Sequence, residues 1–136
     1  MGAWGHLPFE NDDALDFGYE IEDATDVSPL SEAFEDVLTE DGVDESHLGS
    51  NAVAAAALVA SALGAPEAVS GRIPEDLKDW LELFGSQVSP PLAALGARAL
   101  TAVLGQGSEL AELWDESEDP AWREHTAALQ LWLATS

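Results

Sequence analysis

Apolar residues along this chain recur at intervals of three and four, and nowhere do they alternate with polar ones at intervals of two. That period, near 3.6, belongs to an α-helix with one face turned inward. The first stripe is Ala14, Phe17, Gly18 and Ile21, preceded by Asn11 and accompanied by Asp12, Asp13 and Asp16. An Asn is a good N-cap and early carboxylates meet the positive end of the helix dipole, so a helix is predicted over about 12–22. Ser28-Pro29 then reads as an N-cap and a first-turn proline for a second helix, with the stripe Leu30, Ala33, Phe34, Val37 and Leu38 and a stop at Asp41-Gly42. The stretch SNAVAAAALVASALGAP is apolar on nearly every face and stops at Gly64 with Pro66 beyond it, as expected of a buried central helix.

The second half continues the pattern. Pro74 opens a helix with Ile73, Leu77, Trp80, Leu81 and Phe84 on one face; Ser89-Pro90 opens another that carries Leu92, Leu95, Gly96, Ala99, Leu100, Val103 and Leu104 inward as far as Gly105. Ser108 caps a short helix with Leu110, Leu113 and Trp114, and a last helix begins near Pro120 with Trp122, His125, Leu129, Trp132 and Leu133 on one face. The connections are short, and β-branched residues are sparse. The expected fold is all-α: a compact single-domain bundle, residues 1–136, of six or seven short helices around the Ala-rich central one.

Charge changes the picture more than composition does. The chain has 27 acids against 4 bases, a formal net charge of −23, and the bases are Arg72, Lys78, Arg98 and Arg123. Residues 1–71 therefore hold 16 acids and no Lys or Arg. Nucleic acid and anionic membrane are disfavoured as partners, because both demand a basic footprint; a basic protein remains open. The same acids, on solvated helix faces, also serve to keep an Ala-rich protein dissolved. With no Cys there is no disulfide framework, thiolate nucleophile or sulfur-ligated metal. No basic n-region precedes an apolar run, and the longest such run is too short to span a bilayer, so a cytoplasmic location is expected.

The opening MGAWG, the PFENDDALDF that follows, and the late SELAELW before a Trp-bearing terminal helix together resemble the bacterial domain-of-unknown-function family 4259. The resemblance covers both ends of the chain. It implies a small single-domain bacterial protein and brings no activity, cofactor or site residue with it.

Two readings of the opening stretch follow from its residues. In the first, Gly2 and Gly5 let the chain fold back so that Trp4 and Phe9 plug the bundle, Pro8 stiffens the return and Asn11 caps the first helix. In the second, the backbone around those glycines, with Trp4, His6, Phe9, Asn11, Asp12 and Asp13, forms a pocket for a small ligand. Asp12, Asp16 and Glu20 stand at successive four-residue steps, where Ca²⁺ or Mg²⁺ could bridge two of them; without a Ca²⁺-loop motif, an acidic solvated face explains the same spacing. No nucleophile elbow, P-loop or His-Glu-x-x-His motif occurs, and no catalytic set is assigned. Of the histidines, His6 lies in the opening loop, His47 precedes the Ala-rich helix, and His125 falls on an apolar face, where a hydrogen-bonded core histidine is expected.

Two function classes are compatible with these features. One is a non-enzymatic acidic module that binds a macromolecule, including an immunity or antagonist protein whose acids imitate a polyanion. The alternative is a small-ligand or divalent-metal binder, or a weakly defined hydrolase, built around His6, Asp12, Asp13 and Asp16.

Overall fold

The computed structural model describes residues 5–136. Its helices are α1 (Asp12–Glu22), α2 (Ser28–Leu38), α3 (Ser46–Ala62), α4 (Glu67–Ser70), α5 (Glu75–Phe84), α6 (Pro90–Leu104), α7 (Glu109–Glu116) and α8 (Ala121–Ala134), with 3-10 turns at Gly42–Asp44 and Gly85–Gln87. Eight helices, not six or seven, are present among the described residues, and no strand. The additional one, α4, is a single turn too short to display a helical period in sequence.

The boundaries follow from local chemistry. Asn11 is extended and its Oδ1 accepts from the Ala14 N–H at 2.8 Å, which starts α1 where the sequence predicts. At α2 the expected cap is displaced. Ser28 is the first helical residue, and its N–H and Oγ both donate to Asp26 Oδ1, at 2.9 and 2.6 Å, so a carboxylate two residues upstream captures the presumed cap. Helix α3 begins four residues before the apolar run, just after Glu45, which is extended. It ends in a Schellman arrangement: Ala65 N–H donates to Ala60 O at 2.9 Å and Gly64 N–H to Ser61 O at 3.1 Å, with Gly64 at φ +96°.

Helix α3 is the axis. Every residue from Ala52 to Ala60 is buried, and α1, α2, α4, α6, α7 and α8 all pack on it. The alanines there allow close approach, and Leu58 and Val59 fill what the alanines leave. Helix α6 packs in turn on α2 and α8. Fully buried Phe34 of α2 lies against the bare backbone of Gly96 on α6, where a Cβ would come within 3.0 Å of the ring. Burying a side chain of that size is worth about 1.5–3 kcal/mol. Helix α5 attaches chiefly to α1, tied by Trp80 Nε1–H donating to Ala24 O at 3.0 Å. Among the described residues no helix is long and apolar enough to cross a membrane.

Candidate functional site

The residues that lead into α1 form a strap over the bundle. Pro8 and Phe9 are buried, and His6 and Leu7 are half-buried. Phe9, 5% exposed, belongs to the main apolar core, and its ring lies beside Gly18 of α1. Pro8 and Leu7 rest on Gly71, whose φ of +74° suits only glycine and whose missing Cβ would stand 3.0 Å from Pro8 Cδ. The plug reading of Phe9 and Pro8 thus fits the packing; Trp4, the other aromatic named for it, lies outside the described residues.

Asn11 works as a hinge pin. Its Oδ1 caps α1 and its Nδ2 donates back to Pro8 O at 3.3 Å, which fixes the angle between strap and helix. Asp12 and Asp13 are exposed in the first turn. Asp13 borders a cleft floored by Trp114 and Trp122, whose rings stack 6.2 Å apart and 2° from parallel, and walled by Leu7, Pro8, Ser50 and Leu110. Its volume is about 30 Å³. That is room for water and far below the roughly 300–1,000 Å³ of ligand pockets, so with the strap in place the cleft admits no metabolite.

Asp12, Asp16 and Glu20 are all exposed on α1, and no group of three or more His, Asp or Glu able to hold a metal ion assembles among the described residues. A hard cation needs six or more oxygen ligands, and no element brings further carboxylates to these three. His47, in the first turn of α3 rather than ahead of it, is exposed and 3.8 Å from Glu45, remote in character from the strap. The alternative set of His6, Asp12, Asp13 and Asp16 is likewise not gathered round one cavity: only Asp13 borders the cleft.

His6 instead meets His125 of α8, edge to face, with ring centroids 6.4 Å apart. Both His125 ring nitrogens are shielded from solvent and have no side-chain hydrogen-bond partner among the described residues, and Thr126 Oγ1 beside it is likewise shielded and without a partner there. Burial, and then the neighbouring His6 charge, hold the His125 imidazole below its usual range, with hydrogen bonding to the Ala68 backbone acting the other way. Sequence carries no signal for a pairing between the opening loop and the last helix.

Three carboxylates elsewhere are shifted, and the first, Asp26, is lowered by the Ser28 hydroxyl and then the Ser28 N–H that donate to it. Glu22 is raised above the usual range by partial desolvation first, then by hydrogen bonding with Asp76 and the charge of that residue. Asp115 is lowered, chiefly because Arg123 donates to it through both Nε and Nη2, at 3.2 and 3.0 Å. Arg123 Nη1 also donates to Leu104 O at 2.9 Å. The open depression beside the Gly105–Gly107 loop, about 380 Å³, contains this arginine, which makes one hydrogen bond from each of its three nitrogens.

The strap, its glycine seat and the bundle beneath it define a small all-α protein. The chain belongs to the family described as Domain of unknown function (DUF4259), which matches residues 2–125. Neither the curated proteins nor the solved structures provide a match.

Proposed function

We propose that this protein is a non-enzymatic interaction module of the bacterial cytoplasm that engages a basic protein through the acidic surface of its first half. One observation carries the reading. Of the 16 acids in residues 1–71, all but Glu10 and Glu22 are exposed, and none forms an ion pair with Lys or Arg among the described residues. Helices α1 and α2 bury their apolar stripes on α3 and turn Asp12, Asp16, Glu20, Glu32, Glu35 and Asp36 outward. All four cations lie in the second half: Lys78 pairs with Glu75 and Arg123 with Asp115, while Arg72 and Arg98 are exposed and in no ion pair among the described residues. Unpaired exposed charge of one sign steers encounter with a surface of the opposite sign.

The test is kinetic. Partners captured from native extract at low salt should be basic, and about 1 M salt, where the Debye length is ~3 Å, should release them. With such a partner in hand, Glu32→Lys plus Glu35→Lys should slow association by about tenfold with little change in dissociation. The matched pair Glu116→Lys plus Glu118→Lys should slow it much less. A neutral or acidic partner, or binding indifferent to salt, overturns the reading.

A further inference from the structure

The strap is fastened unlike any other part of the molecule. Its hydrogen bonds are all local: Leu7 N–H donates to Glu10 Oε1 at 3.2 Å, Glu10 N–H to Leu7 O at 3.0 Å, and Asn11 Nδ2–H to Pro8 O at 3.3 Å. Among the described residues no hydrogen bond or ion pair joins residues 5–10 to α3, α4 or α8. Among the described residues what holds it down is the apolar contact of Leu7, Pro8 and Phe9, together with one polar pair, His6 against His125. That pair consists of two imidazoles, one of which, His125, is held below its usual range by burial.

We propose that the His6–His125 contact is an acid-released latch, whose protonation frees residues 5–10 and uncovers the Trp114–Trp122 floor of the cleft while the helical bundle stays folded.

The physical grounds are the two shielded nitrogens of His125, which have no side-chain partner and only the Ala68 backbone as an acceptor, and the absence of a compensating anion among the described residues. A proton on His125 in the docked state gains no hydrogen-bond acceptor from side chains, loses water, and faces a second imidazole. The elements packed against α8 carry these charged groups. On α8 itself Glu124 is exposed and Arg123 is engaged by Asp115; Glu67 of α4, Arg72 after it, Arg98 of α6 and Glu109, Glu112 and Glu116 of α7 are exposed; His47 of α3 is exposed beside Glu45; Glu10 of the strap is half-buried and accepts from Leu7. The one side-chain charge that acts on His125 is that of His6, and it opposes protonation. When the strap leaves, that repulsion is removed and water reaches the ring, so the released state binds the proton more readily than the docked one. Docking therefore weakens as pH falls below about 6.5, the ordinary value for an exposed imidazole, by up to about tenfold per pH unit for the proton that His125 takes up on release.

Hydrogen exchange of the full chain, corrected for intrinsic exchange rates, tests the latch at about pH 7.5 and about pH 5.5, either side of the imidazole range. In the unsubstituted protein the opening constant of the strap amides, Leu7 to Glu10, should rise roughly tenfold on acidification while that of the α3 amides stays within about twofold. His125→Gln, which cannot be charged, should cut the strap response to about twofold or less. His6→Gln, on a half-buried loop position and safe for folding, should also reduce it, and it serves as the deciding variant if His125→Gln does not fold. A strap that opens equally at both pH values, a response of full size in either variant, or parallel opening of α3 overturns the proposal.

Discussion

Helix α3 and the strap are both apolar and both seated in the interior, yet they are secured by opposite means. The central helix satisfies its own backbone through intrahelical bonds and a Schellman end, and it is packed by six other helices. The strap has no repeating backbone bonds, leans on a glycine seat, and is closed by a pair of imidazoles. Burial alone is thus no measure of how firmly a segment is held. A segment whose polar groups are satisfied locally can leave as a unit, whereas one that every neighbour contacts leaves only when the whole bundle does.

The contrast can be broken most directly by two truncations. Leu58→Ala, in the fully buried centre of α3, should lower global stability by about 2–5 kcal/mol, seen as a shift of the urea midpoint by every probe. Phe9→Ala should cost less, about 2 kcal/mol against the ~3–5 typical of a Phe sealed in a core, because the strap can detach and the loss cannot exceed its docking free energy. Equal costs at the two positions would show that strap and bundle unfold as one. A smaller effect probes the hinge: Asn11→Ala should destabilise by about 1 kcal/mol in a thermal melt, and Asn11→Asp, which keeps the acceptor for Ala14 N–H, should be nearly neutral. The smallest effect concerns Thr126, whose hydroxyl is buried without a partner next to His125. Thr126→Val should leave stability unchanged or raise it by up to about 1 kcal/mol, with the acid response of the strap intact; a clear loss would reveal a hidden acceptor for the hydroxyl.

Much of the fold was legible because independent local signals agreed. At α1 the cap at Asn11, the early carboxylates and the stripe Ala14, Phe17, Gly18, Ile21 all predict one span, and the observed helix occupies it. Where signals competed, sequence misled: Ser28-Pro29 carries the residues of a helix start, but Asp26 is a stronger acceptor two positions upstream. The candidate site was readable only in part. Phe9 and Asn11 act within their own neighbourhood, and their roles follow from residue type and spacing. The pairing of His6 with His125 and the stacking of Trp114 on Trp122 arise from how α7, α8 and the strap meet, and no local rule encodes such meetings. The hydrogen-bond partner expected for His125 is likewise a tertiary matter, since the backbone that acts on it is that of Ala68 in α4.

The Trp80–Ala24 hydrogen bond bears on the order of assembly. It joins positions 56 residues apart, and α5 has little purchase on the bundle except through α1. Closing so long a loop is entropically costly until the intervening chain is already compact. Formation of α2, α3 and the helices that pack on them is therefore expected to precede the docking of α5 during refolding. The indole N–H of Trp80, distinct from those of Trp114, Trp122 and Trp132 by its carbonyl partner, gives that docking its own proton resonance and hence its own clock.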